Sequence, residues 1–291
     1  MAVAAVWGVL QLSAVSWPTR SVRMSTLLPA LAVAVYGCGV ATALVQLSYT
    51  RIYADRSGQS LVTVENTTSY TVAPWVEELI KVSPLLLAGV SPKVRRQWGL
   101  TDFVVVGAAL GAGFGLLEAV LRYGLDADRA LPRGGGWIIP DSLSPPYVPG
   151  LGQVLTTWLP APFSQLDLGG PPGTETFQHL VFTAMAGFGA GLLWRGRGRL
   201  RLLSVLPIAA AAAYHTVNNY DLVGDHHDES GHDAGNDSDD GVRDPLGRAG
   251  RERLGRADRD KSVAYVSQMA LAPATAPDLR HRIRVGGIRG P

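Results

Sequence analysis

"TDFVVVGAALGAGFGLLEAVLR", residues 101–122, decides how the rest of the chain is read. Its only charges are Asp102, Glu118 and Arg122. A run of this length suffices to cross a bilayer core of about 30 Å, which takes about 20 apolar residues. Helix is the default for such a run, because lipid offers no partner to backbone N–H and C=O groups.

Four further runs are similar: 25–47, 72–90, 175–194 and 201–221. The whole chain fits this pattern. Of 291 residues, 47% are hydrophobic and only 17% charged, where a soluble domain usually carries about 25% charged. Mean hydropathy is +0.14. The apolar runs stop at Asp221, and a polar tail follows. The expected fold is all-α: a polytopic transmembrane helix bundle of about five to six spans over 1–221, with a disordered tail over 222–291. Residues 1–17 lack charge and supply the sixth span if they cross; about 16 apolar residues is short for that.

Net charge is +2, which gives no electrostatic pull on nucleic acid. The single cysteine, Cys38, excludes a disulfide framework and a cysteine-based zinc cluster. Basic residues are nearly all Arg, with Lys only at 81, 93 and 261, a bias of GC-rich bacterial genomes.

Basic residues orient the spans, since cytoplasmic loops hold the excess of Lys and Arg. Arg20 and Arg23 precede the first run, Lys93, Arg95 and Arg96 follow the second, and Arg195, Arg197, Arg199 and Arg201 follow the fourth. Loops 48–71 and 123–174 are neutral or acidic. The chain is thus expected in the cell membrane as a multi-pass protein, with the 123–174 loop and the tail on the extracytoplasmic side. Glu77 and Glu78 then lie about two turns into their run, Glu118 near the end of its own, His179 in the first turns of the fourth, and His215 and Asn219 near the end of the fifth. Four antiparallel helices place these groups at one level, in the outer part of the bilayer.

Helical faces agree with that level. Residues four apart share a side. Gly107, Gly111 and Gly115 lead to Glu118; His179, Thr183, Gly187 and Gly191 form a second stripe; Ala211, His215 and Asn219 form a third. Stripes of small residues let helices approach closely, so the polar groups face other helices.

"WVEELIKVSPLLLAG", residues 75–89, holds the densest charge. A charge at mid-span costs about 2.5–3.5 kcal/mol, and a Leu or Val returns about 0.3–0.6. Three charges approach 10 kcal/mol, and such groups persist where they pair or face a wet cavity. Lys81 is four residues from Glu77 and three from Glu78 and pairs with either. Glutamates and imidazoles together suit water activation: a carboxylate acts as general base, two imidazoles and a carboxylate hold a divalent metal, and an amide such as Asn219 stabilises an oxyanion.

The ordered set Glu77-Glu78-Leu-Ile-Lys81, Phe114-Gly-Leu-Leu-Glu118, His179 in "FQHLVF" and His215-Thr-Val-Asn-Asn219, each on its own run, resembles the PrsW family of intramembrane metalloproteases. That family is similar to the CAAX-protease and bacteriocin-processing superfamily. The resemblance covers about 24–221. It implies an endopeptidase that cuts another membrane protein, of which an anti-sigma factor is the best-known type, near the extracytoplasmic side. It implies Glu77, Glu78, Lys81, Glu118 and Asn219 as catalytic residues. His179 and His215, with Glu118, are implied as holders of a divalent metal, zinc by the family's usual description. Which glutamate is the base stays open. The chain after Asp221 departs from the family, as truncation or a change of reading frame there would produce.

Other features read plainly. "GDHHDESGHDAGNDSDD", 224–240, has His226, His227 and His232 among acids; it reads as a solvated acidic segment. "GAALGAGFG" lacks the strand and Lys-Ser/Thr of a nucleotide loop. Asn66-Thr67-Thr68 is a sequon with meaning only in a eukaryotic secretory setting. Two other functions compete with the protease: a proton- or ion-coupled transporter, because intramembrane Glu and His also form relays, and an inactive relative that binds membrane proteins.

Overall fold

The computed structural model describes residues 1–124, 127–139, 147–156 and 175–232. Helix α1 (Ala2–Val15) opens the chain. A continuous helical stretch follows from Met24 to Ser57, made of α2 (Met24–Val33), a π-helical segment Ala34–Gly39, and α3 (Val40–Ser57). Gly58, in the left-handed region at φ 68°, ends it. Ser60 starts α4 (Leu61–Thr71) by accepting from the Thr63 amide. Then come α5 (Ala73–Val90), α6 (Pro92–Gln97) and α7 (Leu100–Tyr123). After a short sheet follow α8 (Leu151–Thr156), α9 (Glu175–Arg195), a 3-10 stretch Gly198–Ser204, and α10 (Val205–His232).

The helical expectation holds for every apolar run, and among the described residues three stretches are long and apolar enough to cross a membrane: Met24–Ser57, Leu100–Leu121 and Gly198–Tyr220. The chain is a membrane protein of mainly helical build. The count of five to six spans is not reached by that standard. Helix α5 spends Glu77, Glu78 and Lys81 within its 18 residues, and α1 has only 14. Helices α5 and α9 instead pack against neighbours that shield them. In α5, Glu77, Glu78, Lys81, Val82, Leu85 and Gly89 are buried.

The all-α expectation is corrected in the 123–174 loop. Strands β1 (Leu131–Arg133), β2 (Gly136–Ile138) and β3 (Tyr147–Val148) form an antiparallel sheet in that order. Gly134 and Gly135, at φ 55° and 86°, turn β1 into β2. Positive φ at both central positions is the type I′ pattern of two-residue hairpins, which Gly-Gly supplies without strain.

The boundary drawn at Asp221 falls inside α10, which runs on to His232. The chain from 233, and Asp126, Asp141 and Asp167 of the loop, lie outside the described residues.

The most extensive helix pair is α7 with α9. Their backbones touch where glycines remove the side chain. A Cβ on Gly107 would meet the Thr183 carbonyl, and one on Gly111 the His179 carbonyl. Gly187 faces Phe103 and Gly107 in return. Phe103, Leu110, Leu180 and Phe182 fill the core around this seam, with Val82 and Leu85 from α5. Tyr36, Leu44, Tyr49, Ile52 and Tyr53 remain exposed on the first long helical stretch, the apolar outer surface a bilayer covers.

One end of the α7–α9 pair gathers the three basic stretches. Asp102 is buried there. It accepts from the amides of Ser21 (2.6 Å), Val22 (2.8 Å) and Gly99 (2.8 Å) and from the Ser21 hydroxyl (2.7 Å). Arg195 donates to the Arg95 carbonyl at 2.5 Å, and the Arg95 guanidinium lies 5.6 Å from the Trp194 ring centroid.

Candidate active site

Helix α7 runs 16 residues from Asp102 to Glu118, about 24 Å at 1.5 Å per residue. Glu118 therefore lies near the opposite end from the basic loops, and so does His179, 16 residues before Arg195 on antiparallel α9. Helix α5 brings Glu77, Glu78 and Lys81 to the same level within its first three turns, and α10 brings His215. The side chains of Glu77, Glu78, Lys81, His179 and His215 are all buried.

Their contacts form one network. Lys81 Nζ lies 2.6 Å from Glu78 Oε1 and 3.8 Å from Glu77 Oε2. It also lies 3.0 Å from His179 Nδ1 and 4.3 Å from the Phe114 ring centroid. The other nitrogen of His179, Nε2, sits 2.5 Å from Glu118 Oε2. His215 places Nδ1 3.3 Å from Glu78 Oε1 and Nε2 3.8 Å from Glu77 Oε2. The His179 and His215 ring centroids are 4.9 Å apart. Thr183 donates to Glu78 Oε2 at 3.3 Å, and Gln46 Nε2 donates to Glu77 Oε1 at 2.8 Å.

Three carboxylates, two imidazoles and one ammonium share this space. With neutral imidazoles the acids outnumber the ammonium, an excess of negative charge that a bound cation would offset. Glu78 Oε1 is held by the Lys81 ammonium at 2.6 Å and lies 3.3 Å from His215 Nδ1. Glu77 Oε2 is buried and makes no hydrogen bond. Buried polar atoms left in this state mark places where a further group fits.

The donor set that converges is Glu77, His179 and His215, one atom from each, all within 4.8 Å of one another. Two imidazoles and a carboxylate suit a divalent metal. The orphaned Glu77 Oε2 agrees with that use. Glu118, expected among the ligands, lies against His179 Nε2. A carboxylate on one nitrogen of a ligating histidine orients the ring and leaves the other nitrogen for the metal.

Thus Glu77, Glu78, Lys81, Glu118, His179 and His215 meet in space. Asn219 is engaged elsewhere: its Nδ2 donates to the Ser69 carbonyl at 2.9 Å. Its neighbour Asn218 accepts from Gln178 at 3.3 Å, and Tyr220 meets Tyr70 edge-on at 5.5 Å. These contacts strap α10 to α4 and α9. Gln46 is the polar contact that the motif reading did not contain. Its signal is a stripe spaced by four, Thr42, Gln46 and Thr50, inside an otherwise apolar run. Thr42 and Thr50 are buried and Gln46 partly so.

Among known families, residues 18–138 fit the family model described as PrsW family intramembrane metalloprotease. The matched segment contains Glu77, Glu78, Lys81 and Glu118, while His179 and His215 lie beyond it. Neither the curated proteins nor the solved structures give a match.

Proposed function

From a chain whose residues 18–138 carry the PrsW-family signature, we propose an intramembrane metalloprotease that hydrolyses a peptide bond of another membrane protein. One observation carries this reading: three helices deliver Glu77, His179 and His215 to within 4.8 Å, buried, beside a second glutamate.

Glu77, His179 and His215 would hold the metal, with zinc the family's expectation. A divalent metal held there supplies Lewis acidity to a water and to the peptide carbonyl. Glu78 serves as general base, takes a proton from the water, and later returns it to the leaving amine. Thr183 and Lys81 fix its two oxygens from different sides. Lys81, 3.0 Å from His179 Nδ1, would yield that contact to a metal held by the histidine and would keep Glu78 as its partner. Glu118 orients His179 through Nε2. Asn219 supports the site from α10 by its tie to Ser69.

The substrate is a membrane protein, in the manner of an anti-sigma factor, cut towards the extracytoplasmic side. The support is the spacing of the two polar layers. The basic loops, which belong to the cytoplasmic face by charge, gather about 24 Å along α7 from the cluster. The transporter reading is weakened by the same geometry, since a relay needs groups at successive depths and these converge in one network.

The test is cleavage of a tagged single-pass membrane protein of the anti-sigma type in cells making the full chain. Wild type should cut it, and Glu78→Gln and His179→Ala should not, at equal expression. Undiminished cleavage in both variants rejects the mechanism. Proton or ion flux in proteoliposomes without proteolysis would turn the assignment to a transporter.

A further inference from the structure

The carboxylate of Glu77 is held asymmetrically. Oε1 accepts the Gln46 amide at 2.8 Å, while Oε2 makes no hydrogen bond and faces Lys81 Nζ and His215 Nε2, each at 3.8 Å. Gln46 belongs to α3, the long stretch whose outer face carries the exposed Leu44, Val45 and Tyr49. Its own face, marked by buried Thr42 and Thr50, turns inward to α5. About two turns earlier, the π-helical segment makes a related contact, Cys38 Sγ to the Ile80 carbonyl at 3.7 Å. Two points along this stretch therefore engage α5 within the turn that carries Glu77, Glu78 and Lys81.

We infer that Gln46 is a positioning residue that clamps Glu77 Oε1 so that Oε2 alone is presented to the metal. This inference rests on the metal-holding role given to Glu77 above. The amide suits the task for two reasons. It is neutral, so it fixes the carboxylate without cancelling the charge that a cation needs. It also removes one of two rotational settings of the carboxylate, and so shortens the search for the binding orientation. A lysine or arginine at 46 would bind Glu77 as an ion pair and compete for its charge. A leucine would leave Oε1 free to rotate into the chamber. Outer partners that orient metal ligands contribute roughly 10–100-fold to metal affinity or activity.

The test titrates Co(II) alone into purified full-length protein in detergent, read by visible absorption, for wild type, Gln46→Leu, Glu77→Gln and the double variant. Gln46→Leu should bind Co(II) roughly 10–100-fold more weakly than wild type, besides the fall in unfolding temperature that losing one hydrogen bond to a buried carboxylate brings. In the Glu77→Gln background, Gln46→Leu should add no further loss, because the carboxylate it orients is gone. A merely structural role for Gln46 would instead weaken binding equally in both backgrounds, which overturns the inference. Equal Co(II) affinity of Gln46→Leu and wild type overturns it too, and leaves the metal site standing. Failure of wild type to bind Co(II), or wild-type binding by Glu77→Gln, overturns the role of Glu77 itself and this inference with it. Gln46→Met, also without a donor, gives the same reading should Gln46→Leu not fold.

Discussion

Asp102 and Glu78 are both buried carboxylates, 1% and 0% exposed, and they stand in opposite layers of the bundle. Asp102 collects three backbone amides and a hydroxyl, all on short hydrogen bonds. These donors are fixed by the fold and do not change charge. Glu78 sits among an ammonium, an imidazole and a threonine hydroxyl, and two of these partners can move a proton. A carboxylate saturated by fixed amides is a joint: it ties the 20–23 stretch and the 99–102 turn together. A carboxylate held by ionisable side chains, beside atoms that make no hydrogen bond, keeps its capacity to react. Burial alone does not separate the two; the chemical kind of the partners does.

The contrast breaks first under a change at the reactive layer. Glu78→Gln should reduce substrate cleavage by about 100-fold or more, the usual scale of general-base loss, as read by immunoblot of the tagged substrate. Asp102→Asn should leave the residual cleavage per folded molecule near wild type.

Stability should respond in both layers. Lys81→Met removes the one ammonium between Glu77 and Glu78 and leaves both acids buried without their cation. Breaking a buried pair this way costs roughly 3–5 kcal/mol, measurable by denaturant unfolding in detergent. Lys81→Met combined with Glu78→Gln should recover part of it. No recovery would mean that Lys81 serves packing against Phe114 more than charge.

Asp102→Asn comes next. Hydrogen bonds to a charged group contribute about 1.5–3 kcal/mol each, and the amide keeps one acceptor oxygen, so a loss of about 2–3 kcal/mol is expected. Co(II) affinity should stay at the wild-type value. A weakened Co(II) site in Asp102→Asn would show that the two layers are coupled and that the contrast drawn here is too sharp.

The smallest effect belongs to Asn219→Ala, which loses a neutral hydrogen bond to Ser69 worth about 1 kcal/mol. Thermal unfolding and cleavage measured on the same preparation decide its role. A fall in cleavage out of proportion to the stability change would return the oxyanion task to Asn219.

Much of the reactive layer is legible in the sequence, because ionisable residues inside apolar runs stand out against their cost. Glu77, Glu78, Lys81, Glu118, His179 and His215 are visible for that reason, and the small-residue stripes show which way they face. Gly107, Gly111 and Gly187 indeed line the α7–α9 seam. Gln46 escapes notice because a neutral amide disturbs a hydropathy profile little. Asp102 escapes because it sits at the edge of its run, where a charge is ordinary. The β1–β2 hairpin hides in a loop whose Gly and Pro content signals turns without saying which strands they join. The number of spans is hidden for a different reason: hydropathy reports that a helix avoids water, and cannot report whether lipid or protein covers it. Buried α5 tolerates three charges because its neighbours take the place of lipid.

The seam at Gly111 extends this to heredity. The space its side chain would take is occupied by the carbonyl of His179, so the reach of a reactive imidazole is dictated from a position that owns no functional group. A saturation library scored for proteolysis should rank position 111 among the acids and histidines, with even alanine disfavoured. Drift at this locus is closed off by geometry, and the chemistry one helix away is what keeps it closed.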